Sequence, residues 1–295
     1  MSSIASTVLR PLESRCARYF AAGLVCCATL CTPPLFAQPA SGADQGSDLG
    51  TRGDVEAQSK GAGTPMTVRL VVGNEVWQRR PSYKASGDWL ALACSAKGCV
   101  LEPASLSVRQ QFWQGHYDER PTSGQLLTFK RNSGSAADTV VAWFQPAAPV
   151  SWLKPRSVTT YYSPLHPLEQ PAGRASLQAT VRLPGGERAL LVPMLAKGEA
   201  PDRAGPREYL LQLRAQGKRQ LLGGNLGTCT GKFDPRDYLL WAGDLDQDGK
   251  PDFLVSFVDA EGPVHLYLSG TAVPGQIVGL AGVYNSPPFG GECDG

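Results

Sequence analysis

Residues 241–255 read WAGDLDQDGKPDFLV, and this stretch decides most of what the sequence says about the fold. Its charged and conformationally special residues are Asp244, Asp246, Asp248, Gly249 and Asp252. Aspartates at alternate positions, followed by a glycine, form a loop that wraps a hard cation, and Ca²⁺ takes roughly six to eight oxygen ligands. The glycine supplies the positive φ at which the chain reverses around the ion. The stretch therefore predicts a calcium-binding loop.

The flanks of the loop predict strands rather than helices. An EF-hand needs a helix on each side and a glutamate at position 12 of the loop. Counted from Asp244, position 12 is Val255, and Pro251 interrupts the exit from the loop. Residues 238–242 (YLLWA) and 253–258 (FLVSFV) are short, apolar and typical of buried strands. The loop is therefore predicted to join two strands.

Residues 243–255 (GDLDQDGKPDFLV) resemble the FG-GAP calcium-binding repeat of integrin-type and VCBS-like proteins. The resemblance covers one motif, in the C-terminal part of the chain. It implies a structural calcium ion whose ligands map onto Asp244, Asp246, Asp248, Lys250 and Asp252, with Lys250 acting through its backbone carbonyl. The alternative is an acidic turn held by hydrogen bonds without an ion. Because neighbouring carboxylates repel each other unless a cation neutralises them, the calcium interpretation is favoured.

The N-terminal residues 1–37 are predicted to be an export signal. A basic segment with three arginines precedes residues 20–30 (FAAGLVCCATL), an apolar run too short to span a bilayer. Cleavage is expected after Ala37, and the alternative is an N-terminal membrane anchor. No later segment is apolar enough to cross a membrane. The protein is therefore expected to be secreted or periplasmic.

Four of the eight cysteines lie beyond the signal, namely Cys94, Cys99, Cys229 and Cys293. An even number of cysteines in an exported protein indicates disulfides. Closeness in sequence predicts that Cys94 and Cys99 close a hairpin, and that Cys229 and Cys293 tie the C-terminus to the segment before the acidic loop.

The net charge of the chain does not indicate that it binds an anionic partner. The whole chain has a formal net charge of +2, and 25 basic and 25 acidic side chains remain beyond the signal. A balanced chain without a basic run is expected to be a poor binder of nucleic acids or of anionic membranes.

The remaining chain is divided by composition. Residues 38–65 are polar and rich in Gly, Ala and Ser, which predicts a disordered linker. The linker contains Arg52-Gly53-Asp54, a tripeptide that some integrins recognise, but its occurrence here is attributed to chance. A breaker-rich stretch at 199–206 separates an N-terminal β region, 66–200, from a C-terminal β region, 201–295. The fold is expected to be all-β, with antiparallel sheets in a sandwich or barrel of one or two units.

Strand and turn signals support this fold class. Apolar and polar residues alternate in 67–72, 176–183 and 207–213. Turn-forming residues at 184–187, 215–218 and 259–262 each separate two such runs, which is typical of hairpins. No helical period of useful length is found.

Two further sites are weighed against simpler roles. His116 with Asp118 or Glu119 could act as the general base of an envelope hydrolase, although no recognisable nucleophile motif accompanies it. Exposed aromatic residues could bind a glycan, and the candidates are Trp113, Tyr117 and Trp152. Trp77 could also be exposed, but packing in the core or at an interface is the favoured interpretation. Trp89, Trp143 and Trp241 are assigned to the core. His265 is expected to face solvent or a hydrogen-bond partner.

These observations lead to one expected function. The protein is predicted to be an exported, calcium-stabilised β-module without enzymatic activity. It would have a binding or structural role at the cell envelope and would contact a protein or a glycan that the sequence does not identify.

Overall fold

The computed structural model describes residues 68–79, 82–114, 120–134, 138–147, 150–166, 168, 177–195, 207–228, 234–257 and 263–285. The predicted export signal, the linker 38–65, the turn 259–262 and the predicted Cys229–Cys293 pair lie outside these residues. Within them the chain forms fifteen strands, one short α-helix and two 3₁₀ turns, and the all-β prediction is confirmed.

The strands follow the predicted alternating segments and turns. Their bounds are β1 Val68–Val71, β2 Glu75–Gln78, β3 Ser86–Ser95, β4 Gly98–Trp113, β5 Thr122–Arg131, β6 Thr139–Pro146, β7 Arg156–Tyr162, β8 Ala179–Arg182, β9 Arg188–Leu195, β10 Arg207–Ala215, β11 Lys218–Thr228, β12 Leu239–Asp244, β13 Asp252–Ser256, β14 Val264–Leu268 and β15 Gly279–Tyr284. The helix α1 is Pro235–Tyr238, and the 3₁₀ turns are Pro184–Gly186 and Ser269–Thr271.

The larger sheet curls into a nearly closed antiparallel barrel. Its strand order is β1-β6-β3-β4-β7-β12-β13-β14-β15, while β5 pairs with β4 and β2 pairs with β5. The two outermost strands approach each other: a Cβ atom added to Gly282 of β15 would lie 2.9 Å from the carbonyl oxygen of Val68 in β1. Curling in this way covers edges that would otherwise be open to pairing with other chains.

The smaller sheet has the order β11-β10-β9-β8 and does not follow the predicted division of the chain. The boundary at 199–206 falls between β9 and β10, which pair with each other from Leu190–Arg214 to Leu195–Tyr209. Strands from both predicted regions also share the barrel, because β7 pairs with β12. Strands from both the 66–200 and the 201–295 regions thus contribute to each of the two sheets.

Two apolar clusters fill the fold. The barrel interior contains Trp89, Trp143 and Trp241, as predicted, and all three are buried. The second cluster lies between the barrel and the smaller sheet, where Phe253 and Val255 of β13 pack with residues of β8 to β11. Leu254, between them in sequence, belongs to the barrel interior. Because β13 is buried on both faces, its sequence is continuously apolar rather than alternating.

Hydrogen bonds from polar side chains, among them Tyr238, Gln220 and Tyr267, attach the smaller sheet to the barrel. The Tyr238 hydroxyl, at the end of α1, donates to the carbonyl of Leu177 (2.7 Å) and accepts a hydrogen bond from the N–H of Ala179 (2.8 Å). Gln220 of β11 binds the segment before β15, since its Oε1 accepts from the N–H of Ile277 (2.7 Å) and its Nε2 donates to the carbonyl of Val278 (2.8 Å). Each bond satisfies backbone groups that the strand ladders leave unpaired.

The Cys94–Cys99 disulfide is confirmed. The two cysteines are paired residues of the β3–β4 hairpin, and both are buried in the barrel cluster. Among the described residues, no helix is long and apolar enough to cross a membrane.

Candidate metal centre

The acidic loop joins two antiparallel strands, as the sequence predicts. Asp244 is the last residue of β12, and Asp252 is the first residue of β13. Gly249 has φ +82° and Gln247 has φ +65°, so two residues of the loop take the left-handed conformation that reverses the chain. The glycine fits this conformation without the steric cost that a side chain adds.

Asp252 is the buried anchor of the loop, with a relative exposure of 0 %. Its Oδ2 accepts hydrogen bonds from the N–H groups of Leu245 (2.6 Å) and Asp246 (3.2 Å). Its Oδ1 accepts from the N–H of Ser269 (2.8 Å) and from the Ser269 hydroxyl (3.2 Å). One carboxylate therefore holds the start of the loop and the turn after β14 together.

Asp244 and Asp246 point into the same space. Asp244 accepts hydrogen bonds from the N–H groups of Asp248 and Gly249, both at 3.1 Å. Asp246 accepts from the N–H of Gly270 at 3.0 Å. Asp244, Asp246 and Asp252 each offer a carboxylate oxygen, and these three oxygens lie within 4.8 Å of one another. The structure thus brings three of the predicted ligands together.

The other two predicted ligands lie at the margin of this group. Asp248 accepts hydrogen bonds from the N–H of Lys250 (2.9 Å) and from the Ser269 hydroxyl (2.8 Å). Its other oxygen lies 3.7 Å from Nζ of Lys250, whose side chain is mostly exposed. The Asp248 carboxylate does not belong to the three-oxygen group.

Nearby positive charge does not fully compensate the negative charge of the clustered carboxylates. Burial, and next the charge of Asp246, raise the pKa of Asp252 to about 8. Burial and the charge of Asp248 also raise the pKa of Asp246 above its ordinary value. Besides Lys250, which lies beside Asp248, Arg156 of β7 is close, because it donates to the carbonyl of Leu245. Burial lowers the pKa of this guanidinium, while Asp244, Asp246 and Asp252 oppose that effect. Raised carboxylate pKa values mean that an added cation would stabilise the cluster.

Ser269 and Gly270 are the part of the site that sequence reasoning missed. They follow β14 and contact Asp246, Asp248 and Asp252 from 17 to 24 residues away along the chain. A Cβ atom at position 270 would collide with a carboxylate oxygen of Asp246, so a larger residue there would displace this carboxylate. Serine and glycine are common in any turn, and no local signal marks these two as partners of the loop.

The donor set suits a hard cation. All three converging groups are carboxylates, and no histidine or cysteine joins them among the described residues. Oxygen-only donors favour Ca²⁺ or Mg²⁺ over the transition metals, which prefer nitrogen and sulfur ligands.

The aromatic residues proposed for glycan binding differ in their exposure to solvent. Trp113, at the end of β4, is 39 % exposed, and its neighbour Phe112 is 73 % exposed. Trp152 is half-buried against the barrel core. Trp77 is buried rather than exposed: its ring lies 6.3 Å from that of Trp113, and its Nε1 donates to the carbonyl of Gln111. Tyr117 and the predicted base His116, with Asp118 and Glu119, lie outside the described residues.

His265 of β14 is buried rather than solvent-facing. Its ring lies 4.7 Å from that of Phe257, and its Nδ1 is 3.1 Å from the Tyr267 hydroxyl, which confirms the expected hydrogen-bond partner. Burial lowers the pKa of His265 to about 4. An unfolded histidine titrates near pH ~6.5.

This difference predicts an acid-sensitive contribution to stability. Between about pH 6.5 and 4 the unfolded chain binds a proton that the folded chain does not bind. The contribution of neutral His265 is therefore complete above about pH 6.5 and is lost as the pH falls toward 4, up to about 3 kcal/mol. We expect His265→Asn to remove this part of the pH dependence, measured by urea unfolding at several pH values in chelator. His166→Asn, at an exposed histidine, serves as the control. Identical pH slopes in wild type and His265→Asn would contradict the prediction.

Comparisons of the chain with protein-family models, with curated proteins and with solved structures found no match.

Proposed function

We propose that this protein is an exported, calcium-stabilised β-module without enzymatic activity, with a binding or structural role at the cell envelope. The observation that carries the proposal is the convergence of Asp244, Asp246 and Asp252. Oxygens that share one Ca²⁺ at about 2.3–2.6 Å lie no more than about 5 Å apart. The three carboxylate oxygens meet this condition, since they lie within 4.8 Å of one another.

A structural role for the ion is supported by what the carboxylates connect. Asp244 ends β12, Asp252 begins β13, and the N–H groups of Ser269 and Gly270 tie the turn after β14 to the same loop. An ion at this point would neutralise the repulsion that raises the pKa of Asp252. It would thereby stabilise three neighbouring strands of the barrel at one end.

The extracytoplasmic location is supported by two features. A disulfide joins Cys94 and Cys99, and disulfides persist in oxidising compartments. Calcium sites in extracellular modules bind with dissociation constants near ~1 mM, which suits a compartment where calcium is abundant. Both features agree with the export signal predicted for residues 1–37.

The test is thermal unfolding of residues 38–295 in millimolar calcium and in chelator. At a calcium concentration about 100 times the dissociation constant, the ion adds about 2.7 kcal/mol to the free energy of unfolding. We expect Tm to rise by several degrees in calcium. Magnesium should give a smaller shift, because it demands near-ideal octahedral geometry and keeps several of its waters.

Two variants make the assignment specific. Asp246→Asn removes one of the three converging carboxylates and should lose the calcium-dependent rise in Tm. Asp88→Asn changes an exposed carboxylate of β3 by the same chemistry and should keep the rise. An unchanged rise in Asp246→Asn, or no rise in wild type, would leave the loop as a hydrogen-bonded acidic turn.

A further inference from the structure

One edge of β4 has no neighbouring strand over residues 108–112. β3 pairs with β4 only as far as Leu106, which lies opposite Ser86 at the start of β3. β5 pairs with the opposite edge of β4 and continues to the end of that strand. Among the described residues, no other strand pairs with residues 108–112. These residues form the open edge of β4.

The backbone groups that face the open edge follow from the ladder between β4 and β5. The N–H of Asn132 donates to the carbonyl of Pro103 (3.0 Å), and the register continues without a shift along the rest of β4. In an antiparallel pair, every second residue bonds to the neighbouring strand. The odd-numbered residues of β4 therefore bond to β5. The even-numbered residues direct their N–H and C=O groups to the open edge, and these are Val108, Gln110 and Phe112.

The open edge has little protection against pairing with another strand. Native edge strands are protected by lysine, by proline, by a bulge or by a very short length. Residues 108–112 (VRQQF) contain no lysine or proline, and their register with β5 has no bulge. Their one charge is that of Arg109, and Phe112 is 73 % exposed. An exposed phenylalanine beside backbone groups without a strand partner indicates a site where a strand adds to the sheet.

The side chains of the open edge divide between two faces of the sheet. The even-numbered residues share the face of Leu106, because residues two apart in a strand point the same way. Leu106 is buried in the barrel, Val108 is half-buried against the barrel core, and Phe112 is exposed. Arg109 and Gln111 lie on the other face. A matching strand must therefore place an apolar side chain opposite Phe112 and no positive charge opposite Arg109.

We propose that the open edges of two copies of this chain pair antiparallel around a two-fold axis at Gln110. In this register Gln110 lies opposite the partner's Gln110, Phe112 lies opposite the partner's Val108, and Arg109 lies opposite the partner's Gln111. Directly opposite side chains contact each other, so the pairing covers Phe112 with an apolar residue and brings no like charges together. The even-numbered residues add about six backbone hydrogen bonds between the copies.

Other registers of a two-fold pair fit less well. Because both copies use the same edge, even-numbered residues must lie opposite even-numbered residues. An axis at Arg109 places two guanidinium groups directly opposite each other, which destabilises the pair. An axis at Gln111 places Phe112 opposite the amide of the partner's Gln110. Two-fold pairing is closed, since it occupies both open edges and leaves none for a third copy. It requires no bound calcium.

The first test is sedimentation velocity of the purified protein over a range of concentrations in chelator. We expect a dimer whose dissociation constant rises about thirtyfold in Gln110→Pro, because the two N–H groups at the axis are lost as donors. The ladder with β5 stays intact, since the N–H of residue 110 is directed away from β5. Gln110→Ala is the matched control: it removes the amide side chain but keeps the N–H, and it should dimerise as wild type does.

The second test traps the register with a disulfide. In the proposed pair the two residues at position 110 have Cα atoms about 5.5 Å apart, a distance that a disulfide spans. The two residues at position 111 are displaced along the strands, with Cα atoms about 8 Å apart, which is too far. We expect mild oxidation to link Gln110→Cys into a covalent dimer and to leave Gln111→Cys unlinked. Wild type, which has the same other cysteines, gives the background.

Three results would overturn the proposal. They are a wild type that stays monomeric at the highest concentration measured, an unchanged dimer in Gln110→Pro, and equal cross-linking of the two cysteine variants. Far-ultraviolet circular dichroism verifies that each variant is folded, and the cysteine pair decides the question if Gln110→Pro does not fold. A monomer that binds an added extended peptide through residues 108–112 would also overturn the dimer and would assign the open edge to another chain.

Discussion

Asp252→Ala is expected to lower the free energy of unfolding by about 4 kcal/mol in chelator, and to abolish the further gain that calcium gives to the wild type. Asp252 is fully buried and accepts four hydrogen bonds. Without it, the buried N–H groups of Leu245 and Ser269 lose their acceptor. Each buried donor left unsatisfied costs about 1–3 kcal/mol.

The measurement is urea unfolding of wild type and variant, each in millimolar calcium and in chelator. Asp252→Asn is the informative companion, because it keeps the size of the side chain and one acceptor oxygen but removes the charge. We expect Asp252→Asn to lose the response to calcium while remaining more stable than Asp252→Ala in chelator. A calcium response that persists in both variants would exclude Asp252 from the ion site.

Part of this site could be predicted because its signals are local. The spacing of Asp244, Asp246 and Asp252 around a glycine, with apolar runs on both sides, predicted a loop between two strands. The structure has β12 and β13 in these places. Turns at 184–187 and 215–218 were equally predictable, because glycines with positive φ lie there at Gly185, Gly186 and Gly217.

What could not be predicted depends on strands that are far apart in sequence. Arg156 reaches the loop because β7 pairs with β12, and Ser269 reaches it because β14 pairs with β13. The pairing of Arg182 with Arg188, and of Arg214 with Arg219, is likewise known only once the register of β8 to β11 is known. A pattern in one segment predicts which residues share a face of that strand, but it does not identify the neighbouring strand.

Two features of the fold show how neighbouring strands outweigh local sequence properties. The stretch 199–206 is rich in helix and strand breakers, which is a local property, yet β9 and β10 on either side of it are partners. Trp77 has polar neighbours in sequence, yet a side chain at Gly124 would collide with its ring, so the tryptophan lies against the bare backbone of β5. Whether a side chain on a sheet is buried therefore depends on the residues of the neighbouring strand.

Gly243→Ala is expected to be highly damaging for a change of a single methyl group, lowering the free energy of unfolding by about 3 kcal/mol or more. A Cβ atom at position 243 would collide with the carbonyl oxygen of Thr159 in β7 and with the ring of Trp241. The carbonyl is backbone, so relief requires β12 to move away from β7. Asp244 is the next residue in β12, and this movement would displace it from Asp246 and Asp252.

The variant therefore tests whether the barrel sets the geometry of the ion site. Urea unfolding in chelator gives the packing cost alone, and calcium titration gives the effect on the site. Gly87→Ala is the matched control, since a Cβ atom at Gly87 would meet no atom within 4 Å. We expect Gly243→Ala to weaken calcium binding as well as stability, whereas Gly87→Ala should change neither. Full calcium affinity in a destabilised Gly243→Ala protein would mean that the loop positions its carboxylates without help from the β7–β12 contact.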